Sequence, residues 1–232
     1  MSDRFEVSEA FRFVGRTFEE YCRLLGLDPV GLSGRSVLDC PGGPGSFSAV
    51  TGQFTDRVLA VDPMYGRSLD TLERVCLDAI QRTVEQLREK HELFVWDEYD
   101  DPETRGRYLR AAAERFLADY AQHPGRYVAA GLPNLPFESN SFDLVLSANF
   151  LFLYDDRLDE AFHAESLLEL ARVASEEVRL FPLHSLDRDR SRLVDPVVEQ
   201  VRDAGLSVRF EPVPYEFQPG ATETLVVTPP DS

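Results

Sequence analysis

The stretch "SVLDCPGGPGSF", Ser36 to Phe47, decides how this chain is read. Its first half is a short Val/Leu run of the kind that parallel strands show when both faces are covered, and its second half is a glycine-rich turn. A carboxylate, Asp39, stands at the join. No Gly-Lys-Ser or Gly-Lys-Thr follows, which excludes a phosphate-cradling P-loop. Gly43 and Gly45 give G-x-G, but Ser48 stands where a dinucleotide fingerprint has its third glycine. A pyrophosphate near the end of that strand would face the Asp39 carboxylate and be repelled, whereas an ammonium or a sulfonium would be attracted.

Outward from this stretch the chain alternates short β-like runs with helical periodicity, which argues for an α/β fold. The strand candidates are 35–39, 57–62, 126–130, 142–148 and 177–183, followed by 206–217 and 223–229 joined by "QPGAT", a turn suited to a terminal hairpin. Helices are predicted from Ser8 to Leu25, from Ser68 to Lys90, from Pro102 onward, across "DEAFHAESLLELARVA" (159–174), and before Gly205. Between Asp62 and Arg126 there are two long helical patterns where a βαβ unit needs one. We read 65–123 as a helical insertion within a single domain spanning 1–232. Leu72, Val75, Cys76, Ala79, Ile80, Val84 and Leu87 form one apolar stripe; Leu109, Ala112, Ala113, Phe116, Leu117 and Tyr120 form the other. Between them "HELFVWDEYDDPE" combines Phe94, Trp96 and Tyr99 with carboxylates, a mixture able to cover an apolar ligand.

The second strand ends in Asp62, where an acidic group accepts both hydroxyls of a ribose. Adenosine joined to a cationic amino acid describes S-adenosylmethionine. In order and spacing, "VLDCPGGPG" (37–45), "VLAVDP" (58–63) and "LPFESNSFDLVLSANFLF" (135–152) resemble the motifs of the class I S-adenosylmethionine-dependent methyltransferases. The resemblance covers Val37 to Leu183 and the final hairpin. It implies a Rossmann-like, seven-stranded, doubly wound sheet with a C-terminal antiparallel hairpin, and methyl transfer to a small molecule. It also implies cofactor contacts from Asp39, Pro41, Gly43, Gly45, Asp62, Pro63, Leu132 and Asn149. The chain departs from the pattern twice. Pro41 replaces the first family glycine, and Gly131-Leu132 stands where many members carry an acid that reaches the adenine amino group, leaving that contact to the Leu132 backbone. Two other readings keep the fold: a nicotinamide-dependent oxidoreductase, and a methyltransferase-like domain that binds without turnover.

For catalytic groups the sequence offers His163 and His184 as candidates, and Tyr65, Tyr120, Tyr154 and Tyr215 as residues that would shape a pocket or fill the core. The segment "SANFLFLY" lacks the Asn/Asp-Pro-Pro-Tyr pattern of enzymes that methylate nucleic-acid amino groups. Charge agrees: 41 acidic against 24 basic residues give a net charge of -17, which repels nucleic acid and anionic membranes. With Lys90 the sole lysine, the composition resembles proteins of salt-accumulating halophiles. Three scattered cysteines without metal-ligand spacing suggest neither a disulfide framework nor a metal site. The absence of a signal-peptide pattern or an apolar span predicts a soluble, cytoplasmic protein.

Overall fold

A computed structural model describes residues 11–55 and 57–230. Seven strands form one sheet in the order β3-β2-β1-β4-β5-β7-β6. They are β1 (Ser36–Asp39), β2 (Arg57–Val61), β3 (Tyr127–Val128), β4 (Phe142–Ala148), β5 (Ala174–Phe181), β6 (Ser207–Pro212) and β7 (Glu223–Thr228). The first five run parallel; β7 is antiparallel to β5, and β6 to β7. This is the Rossmann-like sheet with a C-terminal antiparallel hairpin that the sequence predicts. The chain builds outward from β1 to β3, then crosses back to β4, so the strand order reverses between β1 and β4. In open α/β sheets that reversal makes a crevice at the carboxyl ends of the strands.

Six helices cover the two faces: α1 (Phe18–Leu24), α2 (Phe47–Thr51), α3 (Leu69–Glu89), α4 (Pro102–Gln122), α5 (Glu160–Val173) and α6 (Val194–Asp203). On one face Leu167 and Leu170 of α5 and Val197 and Val201 of α6 pack with Leu38, Val145 and Val178 of the sheet. On the other, Tyr21 and Leu24 of α1 and Phe47 of α2 pack with Val37, Leu144 and Leu146. Helix starts follow local chemistry. Ser68, Asp101 and Asp159 each accept a backbone N–H three residues on, satisfying an otherwise orphaned donor. The insertion is an antiparallel pair, α3 and α4, with Cys76 and Ile80 against Leu109, Ala113 and Phe116 and the whole set resting on Ala60 and Tyr65. Gly106 lets the helices approach, since a Cβ there would sit 2.7 Å from Val84 Cγ2.

Four local expectations change, one being that β6 ends at Pro212 and not at 217. The N-terminal helix begins at Phe18, not Ser8: Thr17 and Glu20 form a capping box that starts it, and residues 11–17 have no regular structure. Positions 8–10 lie outside the described residues. Strand β3 has two residues rather than five, and the chain returns from it to β4 without a helix. Leu132, Leu135 and Phe137 of that connection pack on the α5-side core in a helix's place. Helix α2, five residues long, is too short to show a period and has no counterpart in the sequence reading. Cys22, Cys40 and Cys76 are free and buried. Among the described residues there is no helix long and apolar enough to cross a membrane and no cluster of groups able to hold a metal ion.

Candidate functional site

Asp39, the last residue of β1, is in register with Ala60 on one side and Leu146 on the other, so the ends of β1, β2 and β4 fall within two residues of one another. The glycine loop after β1 is therefore brought against the end of β2, and it is tied there. Gly42 N–H donates to the Val61 carbonyl at 2.8 Å, and Gly43 N–H to Asp62 Oδ2 at 3.1 Å. The other Asp62 oxygen accepts the Met64 N–H at 2.8 Å, and the Tyr65 hydroxyl donates to the Gly43 carbonyl at 2.6 Å. A Cβ on Gly42 would lie 2.7 Å from the Tyr65 hydroxyl and 2.9 Å from Ala60 Cβ, so only glycine fits. Gly43 turns left-handed at φ 51° with open space beside it.

This loop forms the floor of a cleft of 1280 Å³. Of the residues singled out in the sequence, Pro41, Gly43, Asp62, Pro63, Leu132 and Asn149 line it. Two do not. Asp39, 1% exposed, lies beneath Tyr21, whose hydroxyl donates to Oδ1 at 3.2 Å and whose ring lines the cleft. Gly45 faces the N-terminal segment instead, with a Cβ there 3.4 Å from the Arg16 carbonyl oxygen. Gly131 has a packing reason: its Cβ would meet Pro63 Cγ at 2.9 Å, which leaves no room for an acidic side chain.

A second wall of the cleft is the segment 11–16, a strap without regular structure where the sequence predicts helix. Gly15 carries it over the glycine loop at close range; a Cβ there would lie 2.1 Å from the Pro44 carbonyl oxygen. Arg16 then donates from Nη2 to Asn149 Oδ1 at 3.2 Å, and the Arg12 N–H donates to the Tyr154 hydroxyl at 3.3 Å. A signal for this strap was present in the sequence. Thr17-Phe-Glu-Glu20 is a capping-box pattern, and it fixes the helix start after Arg16.

The loop after β4 supplies the third side. Asn149 sits at φ 58°, its N–H donating to the Phe181 carbonyl at 2.7 Å, and Phe152 at φ 62°, a conformation aromatic residues rarely adopt. His163 stabilises that turn. Its Nε2 accepts the Phe152 N–H at 3.0 Å while Nδ1–H donates to the Asp159 carbonyl at 2.7 Å. With both nitrogens used, no exposure and burial lowering its pKa, His163 is a neutral structural residue and not a proton carrier at the cleft. His184 lies beside the hairpin turn, with Gly220 close to its Nε2, and lines no part of the cleft. Neither histidine reaches the site.

Charge within the cleft has one sign at its base. Burial raises the Asp39 carboxyl well above the usual carboxylate range, against the pull of the Tyr21 hydroxyl. Burial likewise raises Asp62 to about 6, although its two backbone hydrogen bonds favour the ionised form. Neither group is hydrogen-bonded to a cation among the described residues, while Arg12, Arg16, Arg82 and Arg157 line the same cleft.

No protein-family model matches the chain. It is 28% identical over 217 residues to an uncharacterized protein of Methanocaldococcus jannaschii, covering 92% of this chain and 94% of that one. Among solved structures it is similar to magnesium protoporphyrin IX methyltransferase from Synechocystis with bound SAM, at 16% identity and TM-score 0.47, covering 87% of this chain and 74% of that one. It is also similar to the N-methyltransferase NodS from Bradyrhizobium japonicum, at 13% identity and TM-score 0.46, covering 92% and 94%. A putative S-adenosyl-L-methionine-dependent methyltransferase from Methanococcus maripaludis gives 14%, 0.46, 93% and 84% in the same measures.

The insertion meets the cleft through α3, whose Val75, Asp78, Ala79 and Arg82 line it. The aromatic segment that follows divides three ways. Trp96 stacks on His91 at 4.7 Å and donates from Nε1 to the His91 carbonyl, and it does not line the cleft. Tyr99 is buried, and its hydroxyl bonds Glu20 at 2.5 Å and Tyr215 at 2.8 Å. Phe94 stacks on Phe217 at 4.8 Å and borders a second, smaller cavity of 110 Å³. Tyr154 and Tyr215 line that cavity too, whereas Tyr65 and Tyr120 belong to the core beneath the insertion.

Proposed function

We propose that this chain is a class I S-adenosylmethionine-dependent methyltransferase acting on a small molecule. The observation that carries the reading is the pair of buried carboxylates, Asp39 and Asp62, at two neighbouring strand ends beneath a glycine loop, neither hydrogen-bonded to a cation among the described residues. Asp62, which lines the cleft, would when ionised repel a pyrophosphate placed at the end of β2, which disfavours the oxidoreductase alternative, and would attract an ammonium or sulfonium. Each Asp62 oxygen takes one backbone N–H and keeps capacity for a ribose hydroxyl. In this reading Asp39, acting through Tyr21, and Asp62 hold the amino acid and ribose ends; Pro41 and Gly43 line the turn around them; Leu132 and Pro63 flank the adenine; and Asn149 faces the methyl end. Gly45 serves the loop's packing on the strap.

When bound, the cofactor supplies a methyl group on a sulfonium, and sulfur keeps the carbon–sulfur electron pair as the methyl passes to a lone pair of the acceptor. The chain's part is to align the acceptor and exclude water, which is worth several orders of magnitude without a protein base. The strap 11–16 and helix α3 supply that enclosure, so the insertion acts as the cover on the acceptor side. The acidic, lysine-poor surface supports a cytoplasmic enzyme adapted to high salt.

Calorimetric titration with S-adenosylhomocysteine and with NADH, in molar potassium chloride, tests the reading. S-adenosylhomocysteine is expected to bind and NADH not. Asp62→Ala is expected to weaken the first by about 1 to 3 kcal/mol, the scale for charged hydrogen bonds. Unchanged affinity in a folded variant removes the ribose assignment. Binding without methyl-donor consumption in any cell extract favours the catalytically silent domain.

A further inference from the structure

The smaller cavity lies against the cleft: Arg12, Val14, Arg16, Asn149 and Tyr154 line both spaces. Its other walls come from remote parts of the chain, Phe94 and Arg105 from the insertion, Phe181 from the end of β5 and Leu186 from the segment after it, and Tyr215, Phe217 and Ala221 from the hairpin turn. Rings dominate. A volume of 110 Å³ holds several water-sized groups, enough for a single substituted ring.

In a protein of net charge -17, this cavity is cationic. Arg105 is 1% exposed, bonds Glu20 through Nη1 and lies over the rings of Tyr99 at 4.2 Å and Phe217 at 5.0 Å. Arg16 is 3.8 Å from the same Glu20 oxygen. Two guanidinium groups thus share one carboxylate. The Nε–H of each is buried without a hydrogen-bond partner, that of Arg16 facing the Glu20 carboxylate at 3.8 Å. An unsatisfied donor on a buried charged group costs free energy until an acceptor arrives, and the natural acceptor for guanidinium is a carboxylate.

We propose that this cavity is the acceptor subsite and that it takes a small aromatic carboxylate, the ring held among Phe94, Tyr215 and Phe217 and the carboxylate read by Arg16 and Arg105. The inference rests on the methyltransferase reading for its purpose but not for its geometry. The wall shared with the cleft is where the methyl would cross.

Benzoate, its neutral isostere benzamide, and benzylammonium are titrated into protein saturated with S-adenosylhomocysteine, in one buffer. Benzoate is expected to bind at least tenfold tighter than either of the others. Ala221→Leu, which fills the cavity away from the cleft, is expected to weaken benzoate at least tenfold while S-adenosylhomocysteine affinity stays within twofold. Leu186→Phe is read in its place if that variant does not fold. The double variant Glu20→Gln with Arg105→Met, which removes one charge of each sign, is expected to reduce the preference for benzoate over benzamide. No benzoate binding, equal affinities for benzoate and benzamide, or benzoate affinity unmoved by filling the cavity each overturn the proposal. If the wild-type chain binds no S-adenosylhomocysteine, the methyltransferase reading fails separately, and the same titrations on the unliganded protein still decide the subsite.

Discussion

A carboxylate kept out of water with no cation bonded to it carries its own assay. Burial raises Asp62 to about 6 from the 3.8 of an exposed aspartate, so folding favours its protonated form. The resulting stability is complete below about pH 4 and lost as pH rises through 6. Ligand binding has the opposite sign, since hydroxyl donors and a cation favour the carboxylate and must displace its proton. S-adenosylhomocysteine affinity is therefore expected to be flat above pH 7 and to fall by up to about tenfold per unit below pH 6. Titrations from pH 5 to 8 check this; a flat profile removes Asp62 from the site. The two aspartates were legible in the sequence because strand-end position alone gives them meaning. Their environments were not legible: Asp39 acts beneath Tyr21, a partner on another element, and His163 turned out to hold Phe152 in place through contacts no spacing reveals.

Elements were legible where the local pattern of apolar residues and caps decides them. The seven strands and the paired helices of the insertion follow from periodicity and caps, and β4 lies where the sequence puts it, at Phe142–Ala148. What failed to show was the strap, because its conformation is set by contact with a loop about thirty residues away and not by its own pattern. Gly15 is the test. Adding one methyl where the Pro44 backbone stands at 2.1 Å admits no side-chain adjustment. Gly15→Ala is expected to cost about 1 to 3 kcal/mol in urea denaturation and to weaken S-adenosylhomocysteine binding, the strap being pushed off the loop. Val14→Ala, one position earlier, is the control for loss of packing without a clash. A Gly15→Ala variant with the parent's denaturation midpoint and affinity would show that the strap does not rest there.

Across the whole molecule, the net charge of -17 opposes compaction, and ion pairs such as those joining Arg209 and Arg179 to Glu177 and Glu211 offset it only locally. Exposed pairs are worth about 0 to 1 kcal/mol each, while salt screens the general repulsion at every surface carboxylate. The thermal midpoint is expected to climb between dilute buffer and molar potassium chloride; a falling curve would mean that the attractive pairs dominate. The sheet order has a further consequence, for the making of the chain. Because β7 lies between β5 and β6, the last of these seven strands to be translated is the one that attaches its predecessor. A ribosome that stopped before Glu223 would release a chain with the β5 edge bare and β6 unmoored, along with Tyr215, which closes on Tyr99. Losing the final stretch therefore removes two strands and one wall of the small cavity at once, and nascent chains are exposed to edge-to-edge association until that stretch has left the exit tunnel.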